Sequence, residues 1–198
     1  MSTTLSKSEI ARMKKMSILN FFDRKKEGRE LSNFFELNII LEWNGELLEY
    51  GSGEGAFHGM KYREIGMRCK NRERSNQLND YGKKFEIDGD FGKLGNREIK
   101  KKGGKKGLKL EVCELKIWSE VCVYVQRKIC RYKYDNYEIV REVLNNSKGK
   151  VLIHPAMRCN EEKVKGKFWE GKGIVENGKV IVLGGNVLGR LWMEIRDL

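Results

Sequence analysis

A carboxylate, an imidazole and an ammonium share one helical face in the run Ser52-Gly53-Glu54-Gly55-Ala56-Phe57-His58-Gly59-Met60-Lys61-Tyr62. Glu54 to His58 is an i, i+4 step, as is Phe57 to Lys61, so Glu54, His58 and Lys61 sit together on the opening turns of a helix. Such a cluster suits acid-base work on a phosphorylated or ribosylated ligand. Gly55 and Gly59 strip side chains from one side of the helix and let a ligand or another backbone come close. The same residues also fit an ordinary helix start, with Glu54 complementing the macrodipole and His58 and Lys61 facing water.

Three further stretches have chemical potential. Trp169, between charged residues and just before Gly171, reads as a loop aromatic that can stack on a base or simply cap the edge of the core. Lys100-Lys101-Lys102-Gly103-Gly104-Lys105-Lys106-Gly107 is a basic glycine loop leading into a helix. It can cradle phosphates or stay a solvated charge run, and it lacks the Lys-Ser/Thr ending of a Walker loop. At the end of the chain, Asn186 reads as an N-cap for a helix whose buried face is Leu188, Leu191, Trp192 and Ile195. Gly189 on that helix predicts a close approach by a chain segment or a ligand.

The elements that must position these residues are marked by turns and periodicity. Asn44-Gly45 joins two strand-like runs over 38–50, and Asn177-Gly178 does the same over 173–183; this dipeptide is a strong hairpin signal because both residues tolerate positive φ. Helical spacing of apolar residues covers 54–69, 108–132 and 137–146. The middle one has Leu110, Cys113, Ile117, Val121 and Val125 as a core stripe, with enough valine to leave a strand reading open. Residues 71–96 read as an irregular polar excursion. Residues 1–19 form an N-terminal arm or short helix, with Ile10, Met13 and Met16 at helical spacing.

Composition sets the outer limits. The length of 198 residues suits one domain of ordinary size. A balance of 40 Lys and Arg against 28 Asp and Glu, net +12, suits a polyanionic partner or plain solubility. Five scattered cysteines with only 2 histidines predict no structural metal site and reduced thiols, hence a cytoplasmic or nuclear compartment. No apolar stretch has the length of a signal peptide or a membrane span, so no membrane partner is expected.

In their order, these pieces resemble the NADAR family of YbiA-like N-glycosidases. The family's pattern is an aromatic pair, Ser-Asn-Phe, a glutamate leading an aromatic-and-lysine helix, and a C-terminal Trp followed by Gly-x-Asn-x-Leu-Gly. The counterparts are Phe21-Phe22, Ser32-Asn33-Phe34, then Glu54, Phe57, Lys61 and Tyr62, and finally Trp169, Gly171, Asn186, Leu188, Gly189, Met193 and Arg196. The resemblance covers residues 20–198. His58 stands where the family usually has Gln, Gly55 replaces a common His, and Lys102-Gly103-Gly104-Lys105 is loosely similar to a Gly-Arg segment. An insertion between His154 and Trp169 leaves Gly166 where an acidic residue usually precedes the tryptophan, with Glu161 and Glu162 further upstream.

The resemblance implies a single α+β domain, helix-rich with short β-hairpins, that hydrolyses a ribose-nitrogen bond; no cofactor and no metal-ligating residues are expected, and metal dependence stays open. It implies Glu54 as the catalytic carboxylate, with Glu162 or Glu161 as the second, and Lys61 holding a phosphate or orienting Glu54. Asn33, Phe34, Phe57, His58, Lys102, Trp169, Asn186 and Gly189 would line the substrate site. The ligand would be ADP-ribose on a nucleobase or another acceptor, with a nucleic acid as a possible substrate, or a phosphoribosyl-pyrimidine intermediate of riboflavin synthesis. A module that binds ADP-ribose or NAD without turnover is the rival from another class. The oligomeric state stays open.

Overall fold

The computed structural model describes residues 6–177 and 179–198. Residues 1–5 of the expected arm and Gly178 of the second hairpin turn lie outside them. In chain order the elements are α1 (Lys7–Ser17), β1 (Ile18–Asn20), a 3-10 turn (Arg29–Leu31), β2 (Ile39–Trp43), β3 (Glu46–Tyr50), α2 (Gly53–Arg68), α3 (Arg72–Lys83), α4 (Asn96–Gly103), α5 (Val112–Asn136), α6 (Glu138–Asn146), β4 (Val151–Ile153), α7 (Glu161–Lys165), β5 (Lys172–Glu176), β6 (Lys179–Leu183) and α8 (Val187–Arg196). This is an α+β, helix-rich architecture whose strands pair two by two. It divides into two compact units, one spanning Asn33–Asn136 and the other formed by Met1–Ser32 with Tyr137–Leu198.

In the unit spanning residues 33–136, β2 and β3 form the expected antiparallel hairpin, Trp43 opposite Glu46, with Asn44 and Gly45 at φ 50° and 81°. Ile39, Leu41, Leu48 and Tyr50 point from it into a core shared with Ala56, Met60, Tyr62 and Ile65 of α2 and with Val125 and Ile129 of α5. The α5 helix is set four residues later than the spacing predicts, and its buried face differs: Cys113 is exposed, whereas Glu114, Cys122, Gln126 and Lys133 are buried. Residues 71–96 are not irregular throughout, because α3 is capped by Asn71, whose side chain accepts the Arg74 N–H at 2.9 Å. Its only buried apolar side chain is Leu78. Beside the Tyr81 ring, edge-on to Tyr62 at 4.6 Å, it packs on α2 through glycines: a Cβ on Gly82 would lie 3.1 Å from the Gly59 carbonyl, and one on Gly66 would lie 2.6 Å from Asn79 Oδ1. Hydrophobic periodicity cannot register a contact of that kind.

The predicted basic loop is also mostly helix. Lys100, Lys101 and Lys102 form the last turn of α4, where cations complement the C-terminal end of the helix dipole, and the turn is confined to 104–107.

In the other unit, a full capping box at Ser6 and Glu9 starts α1. Ile10 and Met13 pack onto the Ile18, Ile153 and Val175 cluster, so the described part of the expected arm is built into this unit. Strands β1 and β4 pair in parallel, Leu19 opposite Leu152. Neither three-residue run is distinctive enough to mark a strand in the sequence. Strands β5 and β6 form the second expected hairpin, which leads into α8 with Leu188, Leu191, Trp192 and Ile195 buried as predicted. The Trp192 indole N–H donates to the Leu31 carbonyl at 2.9 Å.

Candidate active site

The start of α2 is tied down by polar contacts from three directions. Ser52 is the N-cap and accepts the Gly55 N–H at 3.2 Å, while its hydroxyl donates to Asn96 Oδ1 at 2.5 Å. The Asn96 amide donates to the Phe34 carbonyl at 2.9 Å, and the Glu54 N–H donates to the Asn33 carbonyl at 2.9 Å. Asn33 in turn exchanges amide hydrogen bonds of 2.8 and 3.0 Å with Gln126 of α5. Residues 33–34, α4 and α5 thus fix the first turn of α2 without using the Glu54 carboxylate.

That carboxylate, His58 and Lys61 are brought together as their spacing predicts, but they do not face water. They are 7%, 9% and 8% exposed. Glu54 Oε1 lies 3.2 Å from His58 Nε2. His58 Nδ1 is buried with no hydrogen-bond partner, an arrangement that fits the tautomer in which Nε2–H donates to the carboxylate. Lys61 Nζ donates to the Gly103 carbonyl at the end of α4 and lies 4.6 Å from the Tyr62 ring centroid. Burial drives the Lys61 pKa down to about 8, with the Glu54 charge opposing the fall. A buried amine tuned this close to neutrality, on the same helix as a buried carboxylate and imidazole, is the kind of perturbed cluster that active sites concentrate.

The glycines beside the cluster accommodate protein, not open space. A Cβ on Gly59 would lie 2.4 Å from the Tyr50 ring, and one on Gly103 would lie 2.0 Å from the His58 ring. Gly103 lets α4 close over the imidazole and present its carbonyl to Lys61. Phe57 turns its ring edge to Trp118 at 5.0 Å, and Lys100 lies over the half-buried Phe34 ring at 5.4 Å. The Lys102 ammonium lies over Phe91 at 5.3 Å, while the lysine bonded to Gly103 is Lys61.

The other sequence-derived candidates belong to the second unit. Asn186 occupies the N-cap position of α8 at φ 46°, but its side chain makes no cap hydrogen bond, which corrects the expected N-cap role. It faces β4 instead, accepting the His154 N–H and donating to the Leu152 carbonyl, both at 2.9 Å. The amide side chain therefore completes the strand as a backbone segment would. Gly189 faces the same strand, where a Cβ would lie 2.3 Å from the Leu152 carbonyl. Trp169 is half-buried in the loop after α7, with its ring edge-on to Phe168 at 5.1 Å. Glu161 and Glu162 are exposed on α7 and pair with Lys172 at 2.8 Å and Lys165 at 2.7 Å. The Lys172 hydrogen bond holds the Glu161 carboxyl below the usual carboxylate range.

Sequence reasoning missed Gln126, Asn96 and the backbone of Gly103. The Ser52 cap was missed as well, although a serine just before a helix is its usual signal. Gln126 has no such signal, since its partner is 93 positions away.

No protein-family model matches the chain, and no curated protein does. The solved NMR structure of the E. coli protein YbiA matches it with a TM-score of 0.53, covering 91% of this chain and 83% of that one at 19% identity. The likeness is one of fold.

Proposed function

We propose that this chain is an N-glycosidase that hydrolyses a ribose-nitrogen bond, removing ADP-ribose from a nucleobase or a related acceptor. The observation that supports this reading best is the buried Glu54, His58 and Lys61 cluster at the fixed start of α2, within a fold similar to that of YbiA. Departure of the nitrogen leaves positive charge on the ribose ring at C1′, so a carboxylate must face that carbon, a water must be activated and the leaving nitrogen must be protonated or delocalised. Glu54 is the carboxylate assigned to C1′. Its backbone is held by Asn33 and its side chain is oriented by His58, so it is preorganised before substrate arrives.

In this reading Lys61 holds a phosphate or orients Glu54, and Trp169 is the candidate to stack on the base or sugar. Asn33, Phe34, Phe57 and Lys102 are the further substrate-binding candidates of the unit that holds Glu54. Glu161 and Glu162 are the candidates for the second carboxylate. The Lys172 hydrogen bond that lowers the Glu161 pKa disfavours the protonated form, and with it a role as the acid that protonates the leaving group. The net charge of +12 favours an ADP-ribosyl substrate, with its pyrophosphate, over a phosphoribosyl-pyrimidine.

The test is incubation with an ADP-ribosylated oligonucleotide and, separately, with a phosphoribosylamino-pyrimidine, followed by chromatography of released base and sugar. Glu54→Gln is expected to abolish release while leaving the melting curve unchanged, because the isostere keeps a hydrogen bond to His58 and loses the charge. Activity of that variant within about threefold of wild type removes Glu54 from the role, since a lost transition-state carboxylate costs orders of magnitude. In the same assay, the second carboxylate is whichever of Glu161→Gln and Glu162→Gln lowers kcat. Tight binding of ADP-ribose with neither substrate cleaved identifies a binding module instead.

A further inference from the structure

Between Lys93 and Lys106 the chain carries seven Lys and Arg against one Glu. Helix α4 turns Ile99 and Gly103 inward, and Arg97, Lys100 and Lys101 outward, at the i, i+3, i+4 spacing of one exposed face. Lys93 before the helix and Lys105 and Lys106 after it extend the exposed cations in both directions. The acid on this helix, Glu98, pairs with Lys101, and its pKa is lowered first by that hydrogen bond and further by Lys106 and Lys102.

This face is rigidly mounted. Ile99 sits in the core, the Tyr81 hydroxyl donates to the Lys102 carbonyl at 3.0 Å, and a Cβ on Gly107 would lie 1.9 Å from that same carbonyl. Its C-terminal end is Gly103, whose carbonyl holds Lys61, and its N-terminal end is Asn96, which is bonded to the Ser52 cap of α2. A cleft of about 400 Å³ opens there, with Gly51, Ser52, Gly92, Lys93, Gly95 and Asn96 among its walls. The half-buried Phe34 ring lies under Lys100 beside it. A row of exposed cations with an aromatic ring and a polar cleft alongside, in which Glu36 is the one acidic wall, matches the needs of a single-stranded nucleic acid, whose phosphates seek charge and whose bases seek flat surfaces.

We propose that the outer face of α4 with the turn at 104–106 is a docking surface for a single-stranded nucleic acid, so that the Glu54 site acts on a modified residue within a strand and not on a free nucleotide. The second half of this inference rests on the N-glycosidase reading; the first does not.

The experiment therefore uses an unmodified fluorescent oligonucleotide of about 20 nucleotides, long enough for several phosphate contacts, and measures binding without turnover. Wild type is compared with Arg97→Ala/Lys100→Ala/Lys101→Ala/Lys105→Ala/Lys106→Ala across about 50 to 200 mM salt. A second variant, Lys14→Ala/Lys15→Ala/Lys148→Ala/Lys163→Ala/Lys179→Ala, removes the same charge from exposed positions elsewhere. The α4 variant is expected to lose at least about tenfold in affinity at low salt and about 2 to 3 units of the log-log salt slope, since each single-strand phosphate contributes about 0.7. The charge-matched variant should keep most of both. No wild-type binding, or equal losses in the two variants, overturns the docking surface. So does binding of polyglutamate with the same dependence on α4, which would mark an acidic-protein site. Strand binding that persists while an ADP-ribosylated strand is left uncleaved keeps the docking surface and rejects the N-glycosidase reading.

Discussion

Lys61 is where the demands of folding and of chemistry conflict most clearly. Its ammonium is buried on α2, and a pKa near 8 means that the folded state disfavours the charged form relative to the unfolded chain. Between that value and the ordinary lysine value the unfolded state binds more protons, so stability rises with pH across that window and the cost of burial is felt in full below it. Lys61→Met is therefore expected to be more stable than wild type at pH 7, by about 1–3 kcal/mol from a shift of this size, and to lose activity. The advantage should shrink as pH climbs from about 8 towards 10. Urea denaturation at pH 7 and pH 9.5 measures both; a variant less stable than wild type at pH 7 would show that the bond to Gly103 outweighs the burial cost. The neighbouring His58 owes its fixed position to Gly103, the residue that lets α4 approach the ring.

Among the elements, β4 and α8 are tied together by the Asn186 side chain. Asn186 supplies the hydrogen bonds that the Leu152 carbonyl and the His154 N–H would otherwise find in a neighbouring strand, and its left-handed backbone turns the chain from the β6 loop into α8. Asn tolerates that conformation better than most residues do. Asn186→Ala removes the hydrogen bonds to two backbone groups that flank the buried Ile153, and is expected to destabilise by about 2–4 kcal/mol. Chemical denaturation reads that loss directly. A change under about 0.5 kcal/mol, the range of ordinary surface substitutions, would show that water replaces the amide. Helix α3, in the other unit, has Leu78 as its one buried apolar side chain and is held as well by the Arg74–Glu114 ion pair, the Tyr81–Tyr62 ring contact and the close approach that Gly66 and Gly82 permit.

Over the whole molecule, all five cysteines are free thiols, distributed from exposed Cys113 through half-buried Cys69 and Cys159 to buried Cys122 and Cys130. Burial pushes the Cys130 thiol up to about 12 and raises that of Cys122 as well, so both are sheltered and protonated in the native state. Titration of the native protein with a thiol reagent is expected to modify Cys113 first and Cys69 and Cys159 more slowly. Cys122 and Cys130 should react only on unfolding. Modification of all five at one rate in native buffer would contradict this packing. Among the described residues no helix is long and apolar enough to cross a membrane.

The sequence alone determined whatever rests on local chemistry. The Asn-Gly turns specified hairpins because positive φ is a property of those residues, and Glu54, His58 and Lys61 fell on one face because helical spacing is fixed by backbone geometry. The buried face of α8 was legible for the same reason. Tertiary structure decided what depends on partners distant in the chain. It buried the Glu54 cluster that could equally have faced water, because α4 closes on it through a glycine more than forty positions away. It paired β1 with β4, and it turned the Asn186 side chain from the helix start to the strand. Burial and long-range hydrogen bonding arise only when separate segments pack, and no spacing within one segment encodes them.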